Sequence, residues 1–246
     1  MAKTKERLDI TLVERGLVTT RAKARGMIMA REVRVNGEVV DKAGTAVGAD
    51  DLIEVTNPLP FASRGGYKLA GALADFGVDV SGRVCADVGA CTGGFTDVLL
   101  QNGAAKVYAI DVGYGQLDWQ LRQDARVVVL ERTNARYLES LPEAVAFVCI
   151  DVSFISLKLI LPVVQKWLSE AADVVALIKP QFEAGKGQVG KGGVVRDVEV
   201  RQQVLEDVLN WAETHGWTRH GLIESPIQGA DGNVEYLVWL KAMSKE

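Results

Sequence analysis

Apolar residues recur at helical spacing near the start of the chain. Leu8, Leu12 and Val13 predict a first helix that ends at Gly16, because glycine readily adopts the left-handed conformation that closes many helices. A second helix is predicted to run to about Ala30. The stretch therefore begins with two short helices.

The second helix should begin after two threonines, since Thr19 and Thr20 can each accept a backbone hydrogen bond at a helix start. Three apolar side chains are expected to pack inward: Ala22, Met27 and Ile28. Three cationic side chains are expected to point to solvent: Arg21, Lys23 and Arg25. Long cationic side chains of this kind suit contacts with phosphate groups.

A β-hairpin follows the two helices. The stretch "VRVNGEVV" carries Asn36-Gly37 at its centre, the dipeptide favoured in two-residue hairpin turns. Another strand is predicted at "DLIEV". Two helices and a few strands within 55 residues predict a small α+β domain, which we assign to residues 1–57.

The pattern changes after "TNPLPFASRGG", a stretch with two prolines and a Gly-Gly pair. We interpret residues 58–64 as a linker. Beyond the linker a helix fits "GGYKLAGALADF", and apolar strands then alternate with helical stretches. The second domain is therefore assigned to residues 65–246.

Five apolar runs predict buried strands: "VCADVG", "KVYAIDVG", "RVVVLE", "AFVCID" and "DVVALIKP". Helical stretches separate most of them, notably 156–170 and 198–215. The alternation favours a Rossmann-like α/β fold, a doubly wound parallel sheet with right-handed crossovers. The late strands "GLIESPI" and "VEYLVWL" lack a long helix between them, so the last strand should be antiparallel.

Charge is distributed unevenly along the 246 residues. The net charge is −4, yet the first 35 residues carry nine Lys and Arg against four acids, and the remaining 211 residues sum to −9. An acidic protein with a basic head suggests a polyanionic partner for that head. A solvated helix face explains the same charges, so charge alone leaves nucleic acid open.

Several classes of protein are disfavoured by composition. No apolar run approaches the 18 residues of a membrane span, and the basic N-terminus lacks the apolar region of a signal peptide. Cys85, Cys91 and Cys149 have no metal-ligand spacing. We therefore expect a cytoplasmic protein with reduced cysteines, no bound metal and no membrane partner.

The stretch "CADVGACTGGFT" predicts a ligand site, because it is the turn between the first strand of the sheet and a helix. Glycines at Gly89 and Gly93 let backbone and ligand approach closely. Asp111 ends the next strand, where a carboxylate can hold both hydroxyls of a ribose. The spacing differs from the G-x-G-x-x-G of dinucleotide sites, which disfavours a dehydrogenase.

Ionisable residues lie near the ends of later strands or in the helix that could cover them. In chain order they are Lys68, Asp151, Lys179 and Glu235. The stretch after the fourth strand, "DVSF", lacks the Asn-Pro-Pro-Tyr of many base-amine methyltransferases. Methylation of a pyrimidine at carbon 5 needs a cysteine nucleophile. Cys149 lies inside a strand, so it is more suited to the core than to that role.

These features resemble known families. "RLDITLVERGLVTTRAKARGMIMAREVRVNG" resembles the small RNA-binding fold of a ribosomal protein, with Arg31 where that family usually has glycine. The glycine turn resembles the first motif of S-adenosylmethionine-dependent methyltransferases. The Lys-Asp-Lys-Glu order resembles FtsJ-like RNA ribose 2′-O-methyltransferases. Together with "SRGGYKL", "ERTNAR", "DVSFISL", "IKPQFEAG" and "SPIQGADGNVEY", nearly the whole chain resembles the TlyA/haemolysin A family.

The resemblance implies methylation of a ribose 2′-hydroxyl, at a cytidine of ribosomal RNA, with S-adenosylmethionine as cofactor. It implies these cofactor-binding residues: Asp87, Gly89, Gly93 and Phe95 at the methionine end, Asp111 at the ribose, Asn134 near the adenine, and Asp151 beside both cofactor and target. It implies a catalytic set of Lys68, Asp151, Lys179 and Glu235. Candidate RNA contacts are Arg7, Arg21, Lys23, Arg25 and Arg64.

Alternatives stay open at this level. Lys179 either accepts the hydroxyl proton or orients the hydroxyl. The glycine-rich stretch 185–193, with Lys186 and Lys191, is either a loop that closes on RNA or a disordered one. A non-enzymatic RNA-binding protein with a degenerate nucleotide fold is the main rival function. A secreted cytolysin, which the family label suggests, is disfavoured by the lack of an export signal.

Overall fold

The computed structural model describes residues 5–18, 20–29, 31–55, 60–185, 187–229 and 231–243. Thr19, Ala30 and Lys186 lie outside the described residues, as do residues 58 and 59 of the expected linker. The chain forms two compact units, Met1–Ser63 and Arg64–Glu246.

The N-terminal unit is a small α+β fold. In chain order its elements are β1 (Glu6–Arg7), α1 (Leu8–Glu14), α2 (Arg21–Met29), β2 (Val33–Val35), β3 (Glu38–Val39), β4 (Ala46–Val47) and β5 (Ile53–Val55). Strands β3, β2 and β5 form an antiparallel sheet in that order, and β1 pairs with β4. The β1–β4 pair is too short to leave a periodic signal in the sequence.

Helix α2 begins where expected, since the hydroxyl of Thr20 accepts the backbone N–H of Lys23 at 3.2 Å. Its inward face was predicted wrongly in one position. Ala22 is exposed, whereas Ala24 is buried with Met27 and Ile28. Positions 24, 27 and 28 follow the i, i+3, i+4 spacing of one helix face, which position 22 does not share.

The expected hairpin is confirmed between β2 and β3. Asn36 and Gly37 have φ values of 53° and 84°, as a type I′ turn requires at both central residues. Arg31 has a φ of 63°, so the chain after α2 adopts the left-handed conformation without the glycine usual in the family.

The second unit alternates helices and strands, as the sequence predicts. In chain order its elements are α3 (Gly66–Phe76), β6 (Val84–Val88), α4 (Gly94–Gln101), β7 (Lys106–Ile110), α5 (Trp119–Gln123), β8 (Val127–Leu130), a 3₁₀ turn (Ala135–Tyr137), β9 (Val145–Ile150), α6 (Leu157–Val164), β10 (Leu168–Ile178), α7 (Pro180–Glu183), α8 (Val198–Thr214), β11 (Trp217–Glu224) and β12 (Tyr236–Ala242).

A seven-stranded sheet organises this unit, in the order β11-β12-β10-β9-β6-β7-β8. Strands β6 to β10 pair in parallel, and β12 runs antiparallel to both β10 and β11. The α/β expectation and the antiparallel last strand are therefore confirmed. Because β6, β9 and β10 are adjacent and parallel, the residues that follow them meet at one edge of the sheet.

The core explains why the strands appear as continuous apolar runs. Most residues of β6, β7, β9 and the second half of β10 are buried, since helices cover the sheet and parallel strands are shielded on both faces. The side chains of β6, β9 and β10 form one cluster with those of α6 and α8.

One helix was predicted too long. Helix α6 covers Leu157–Val164 and not 156–170, and β10 already begins at Leu168. The pairing register of β10 with β9 shifts between Leu168 and Asp173, and Ala171 within that stretch has a φ of 58°. An irregular strand of this kind hides its period of two, so the apolar residues were read as a continuing helix.

Candidate active site

The turn after β6 places glycine where the chain packs against itself. Gly89 has a φ of 91°, and a Cβ there would lie 2.3 Å from the backbone oxygen of Asp151. Gly93 has a φ of 94°, and its Cβ would lie 2.3 Å from Leu121 and 2.8 Å from Leu117. The groups that approach these glycines are thus the neighbouring turn after β9 and the leucines around α5.

Asp111 fastens the same turn from the end of β7. One carboxylate oxygen accepts the backbone N–H of Cys91 at 2.8 Å, and the other accepts that of Gly113 at 2.6 Å. Each oxygen keeps a lone pair. The carboxylate is therefore oriented by the backbone and can still accept two further hydrogen bonds.

Asp87, the acid of β6, is fully buried. Its Oδ2 accepts the hydroxyl of Thr96 at 2.6 Å, while Oδ1 has no hydrogen-bond partner among the described residues. Burial, together with the negative charge of Asp151, raises the pKa of this carboxyl to about 7. Phe95 is buried at the start of α4.

Asn134 lies on the segment that follows β8. Its side-chain oxygen accepts the N–H of Arg136 at 3.0 Å and caps the 3₁₀ turn, which leaves the exposed amide NH₂ group for a ligand. Thr133 donates its backbone N–H to the carbonyl of Asp111 at 2.9 Å. The Asn134 segment is therefore held beside the end of β7.

Lys179 and Asp151 form the first of two ion pairs at the sheet edge. They follow β10 and β9 directly, and Lys179 Nζ lies 2.5 Å from Asp151 Oδ1. The same ammonium donates to the hydroxyl of Ser153 at 3.0 Å. The two residues meet because β9 and β10 are adjacent and parallel.

Lys68 and Glu235 form the second ion pair. Lys68 lies on α3, and Glu235 lies just before β12. Lys68 Nζ donates to Glu235 Oε2 at 2.6 Å. Gln181 donates its side-chain N–H to the other oxygen, Oε1, at 3.1 Å. Lys68 is 7% exposed and Glu235 is 2% exposed, so the pair lies in a medium where an unpaired charge would be costly.

The glycine-rich stretch 185–193 is anchored at its C-terminal end. The buried side chain of Asn233 accepts the N–H of Val195 at 3.0 Å and donates to the carbonyl of Gly193 at 2.9 Å. Lys191 is exposed. Because Asn233 is two residues before Glu235, it links this loop to the segment that carries the second ion pair.

Two of the candidate RNA contacts of the N-terminal unit, Arg7 and Arg21, bind a buried acid. Asp9 accepts two hydrogen bonds from Arg7, at 2.9 and 3.2 Å, and one from Arg21 at 2.8 Å. The hydrogen bonds from Arg7, followed by the one from Arg21, lower the pKa of Asp9 to about 2. Lys23 is half-buried and Arg25 is exposed. Arg64 is exposed at the start of the second unit.

Two known families match this chain. The model of the FtsJ-like methyltransferase family matches residues 61–242, and that of the S4 domain matches residues 6–53. The chain belongs to the FtsJ-like methyltransferase family. Its N-terminal unit carries an S4 domain.

Named relatives of this FtsJ-like protein cover nearly all of it. The 16S/23S rRNA (cytidine-2′-O)-methyltransferase TlyA of Mycobacterium tuberculosis is 49% identical over 97% of this chain and 90% of its own length. Hemolysin A of Brachyspira hyodysenteriae is 43% identical over 94% of this chain and 98% of its own. The expected resemblance to the TlyA/haemolysin A family is confirmed.

Solved structures agree with this family assignment. A Streptococcus thermophilus protein described as a candidate hemolysin is 46% identical, with a TM-score of 0.78 over 99% of this chain and 90% of its own. The N-methyltransferase NodS of Bradyrhizobium japonicum, 15% identical with a TM-score of 0.52 over 76% of this chain and 99% of its own, shares the fold alone.

Two further findings concern the parts of the chain that the structure describes. Each helix there is too short or too polar to cross a membrane. No three His, Cys, Asp or Glu side chains of those parts are grouped as metal ligands would be.

Sequence reasoning missed several polar residues of the site. They are Thr96, Ser153, Gln181, Glu183 and Asn233. All five lie inside or next to motifs that the resemblance had already singled out, such as "DVSFISL" and "IKPQFEAG". For Ser153 and Gln181 a signal was available, because each is a polar residue three positions after the end of a buried strand.

Proposed function

We propose that this protein transfers the methyl group of S-adenosylmethionine to a ribose 2′-hydroxyl of ribosomal RNA, at a cytidine. The observation that carries the proposal is the pair of ion pairs, Lys179–Asp151 and Lys68–Glu235, beside the glycine turn of an FtsJ-like methyltransferase. The name of the TlyA relative gives the same reaction, which supports cytidine as the target nucleotide.

The residues around the glycine turn fit this cofactor. Asp111 has two oriented oxygens with free lone pairs for ribose hydroxyls, and Asn134 has a free amide donor for an adenine. Asp87 has a buried oxygen without a partner among the described residues. We assign Gly89, Gly93, Phe95 and Asp151 to the methionine end, as the family resemblance implies. When bound, S-adenosylmethionine supplies an electrophilic methyl group on a positive sulfur.

Lys179 is assigned to the target hydroxyl. An ammonium has three N–H donors, and here one faces Asp151 and one is given to Ser153. The third remains for the ribose oxygen and would hold one of its lone pairs toward the methyl group. As the oxygen–carbon bond forms and the carbon–sulfur bond breaks, the hydroxyl proton would pass to water. This arrangement favours orientation and polarisation over proton removal as the role of Lys179.

The other members of the catalytic set support this position. Asp151 fixes the Lys179 ammonium on the side of β10 that faces β9. Lys68 and Glu235 form a second buried pair on the side of β10 that faces β12. A network of paired charges has little freedom to reorganise during the reaction, which is the condition for electrostatic catalysis.

RNA recognition is assigned to the N-terminal unit. Its S4 domain carries Arg7, Arg21, Lys23 and Arg25, and Arg64 follows at the start of the second unit. We propose the boundaries 1–57 for RNA binding, 58–64 for a linker and 65–246 for methyl transfer. A ribosomal RNA substrate places the enzyme in the cytoplasm.

Mapping of 2′-O-methyl positions in ribosomal RNA tests the proposal. Purified subunits from cells that lack the protein should gain a 2′-O-methylcytidine when the protein and S-adenosylmethionine are added. RNA binding without methyl transfer would contradict the proposal and support the non-enzymatic alternative. A methyl group on a base atom would contradict the assigned hydroxyl.

A further inference from the structure

We propose that Gln181 is a positioning residue of this site, which orients Glu235 and joins the two ion pairs into one unit. The inference rests on the proposed function, since it concerns the same methyl transfer. Gln181 lies on α7, two residues after Lys179.

Glu235 is held by two donors from different parts of the chain. Lys68 donates to Oε2 at 2.6 Å and Gln181 donates to Oε1 at 3.1 Å. A carboxylate held at one oxygen can still rotate, whereas one held at both keeps a fixed plane. Because Gln181 and Lys179 share the turn after β10, the Gln181–Glu235 bond couples the two pairs.

The surroundings of Glu235 restrict it further. A Cβ at Gly229 would lie 2.7 Å from Oε1, so glycine leaves room for the carboxylate on that side. The backbone carbonyl of Glu235 accepts the N–H of Ser225 at 2.8 Å. Within this small space, Gln181 is the side chain that sets the direction of Oε1.

The short helix that carries Gln181 is restrained at both ends. Pro180 begins α7 with a restricted φ. At the other end of α7, Glu183 accepts the hydroxyl of Ser156 at 2.6 Å and the N–H of Leu157 at 2.7 Å. The turn that carries Lys179 and Gln181 is therefore tied to the start of α6, beyond Asp151 and Ser153.

The free end of the amide points to the same role. Gln181 Oε1 is buried and has no hydrogen-bond partner among the described residues. The amide cannot be reversed, because its oxygen would then face the carboxylate. A buried acceptor without a partner lowers stability, and an apolar side chain of equal length would avoid that loss. The amide is thus explained by the donor it offers to Glu235.

The first test is Gln181→Met, measured on the full chain with S-adenosylmethionine and ribosomal subunits. We expect kcat to fall about 10- to 100-fold, the effect of one hydrogen bond to a charged group. Tm should fall only slightly, because Glu235 loses a donor while the unpartnered oxygen of Gln181 is removed. The cofactor Kd and the KM for the subunit should stay within about twofold. Gln203→Met is the matched control, because Gln203 donates to Asp207 along α8 at 3.0 Å. That control should keep the parent kcat.

The second test is Gln181→Glu, measured across pH. Gln181 contacts Glu235, which lies just before β12. The other charged groups of the two ion pairs are Lys179 on the same turn, Lys68 from α3 and Asp151 after β9, and Glu183 lies two residues further along α7. A carboxylate there would face Glu235, and two adjacent carboxylates share a proton more readily than they both ionise. The variant should lose kcat at neutral pH and regain part of it relative to the parent as pH falls.

The outcomes separate the two proposals. If the parent is active and Gln181→Met has the same kcat, the role of Gln181 is overturned and the proposed function stands. A parent that transfers no methyl group overturns the proposed function. If Gln181→Met loses its thermal transition and cofactor binding, the Gln181→Glu profile decides: a constant ratio to the parent across pH overturns the inference.

Discussion

At the residue scale, charged side chains of the site are held by partners far along the chain. Lys68 and Glu235 are separated by 167 positions, and Lys179 meets Asp151 from the neighbouring strand. Removal of one member of a buried pair leaves the other charge without compensation. Substitutions at these positions should therefore be read for both activity and stability.

Replacement of Lys179 tests the role assigned to its ammonium. Lys179→Ala should lower single-turnover methyl transfer by about 10²–10³-fold, since the donor that orients the ribose oxygen is lost. Lys179→Arg should fail as well, because the planar guanidinium directs its donors differently. Calorimetry should show nearly unchanged affinity for S-adenosylmethionine.

Lys166→Ala, at an exposed position, is the control for Lys179 and should keep the parent rate. Methyl transfer by Lys179→Ala at a rate close to the parent would remove Lys179 from the mechanism.

Replacement of Gly89 tests the packing of two turns. In Gly89→Ala the new Cβ would meet the backbone oxygen of Asp151, which cannot move aside as a side chain can. We expect a loss of about 2–4 kcal/mol in the free energy of unfolding, from strain and clash together, with weaker cofactor binding. Chemical denaturation and calorimetry measure both.

Gly192→Ala is the matched control for Gly89. Gly192 has a similar φ of 81° with no atom within 4 Å of its Cβ position, so it reports backbone strain alone. Equal losses in the two variants would refute the contact with Asp151 as the cause.

At the element scale, short elements of the N-terminal unit depend on side chains that bond to backbone and to each other. Arg15 donates to the carbonyls of Gly48, Ala49 and Asp51 at 2.7–2.9 Å and so ties the loop after β4 to the end of α1. Asp9 joins the start of α1 to the start of α2 through Arg7 and Arg21. Few buried apolar residues are available in so small a unit, so such bonds carry more of its stability.

The ionisation of Asp9 should stabilise the N-terminal unit. Its folded-state pKa of about 2 is below the ordinary value of 3.8, so the contribution is present above about pH 4 and is lost as pH falls through 2. Asp9→Asn should cost about 1–2 kcal/mol at pH 7, since water screens the half-exposed arginines, and this difference should vanish near pH 2.

All five tryptophans lie outside the N-terminal unit, so tryptophan fluorescence cannot report its unfolding. Hydrogen exchange over residues 5–55 measures the effect of Asp9→Asn instead. Asp41→Asn is the control, since Asp41 is exposed and lies 3.8 Å from Arg31. An Asp9→Asn difference that persists unchanged at pH 2 would contradict the assigned cause.

At the scale of the whole molecule, the chain combines a basic S4 domain with an acidic methyltransferase unit. The first 35 residues carry a net charge of +5, whereas the rest of the chain sums to −9. Attraction of RNA phosphates to the first unit and repulsion by the second should make the orientation of the substrate depend on charge.

Deletion of residues 1–57 should separate RNA binding from cofactor binding. Affinity for ribosomal RNA should fall at least about tenfold, and the binding of the full chain should weaken steeply with salt because phosphate contacts release counterions. Affinity for S-adenosylmethionine should stay within about twofold. Filter binding across salt concentrations and calorimetry provide the two measurements. Equal RNA affinity for residues 58–246 and the full chain would show that the basic head does not bind the substrate.

The sequence by itself determined the local elements of this protein. Buried parallel strands form continuous apolar runs, and Asn36-Gly37 dictates its own turn. Asp87, Asp111, Asp151 and Lys179 were placed correctly at strand ends, because the position of a residue within a strand is a local property. The family resemblance supplied the chemistry that these positions suggest.

The tertiary structure decided which residues meet. Strand order brings β9 and β10 side by side and so pairs Lys179 with Asp151, whereas the packing of α3 against β12 pairs Lys68 with Glu235. It also showed that Gly89 accommodates the backbone of Asp151, and that β10 begins within the stretch predicted as helix. Hydrophobic periodicity reports the buried face of a segment but not the identity of its neighbour, so contacts between distant segments could not be read from the sequence.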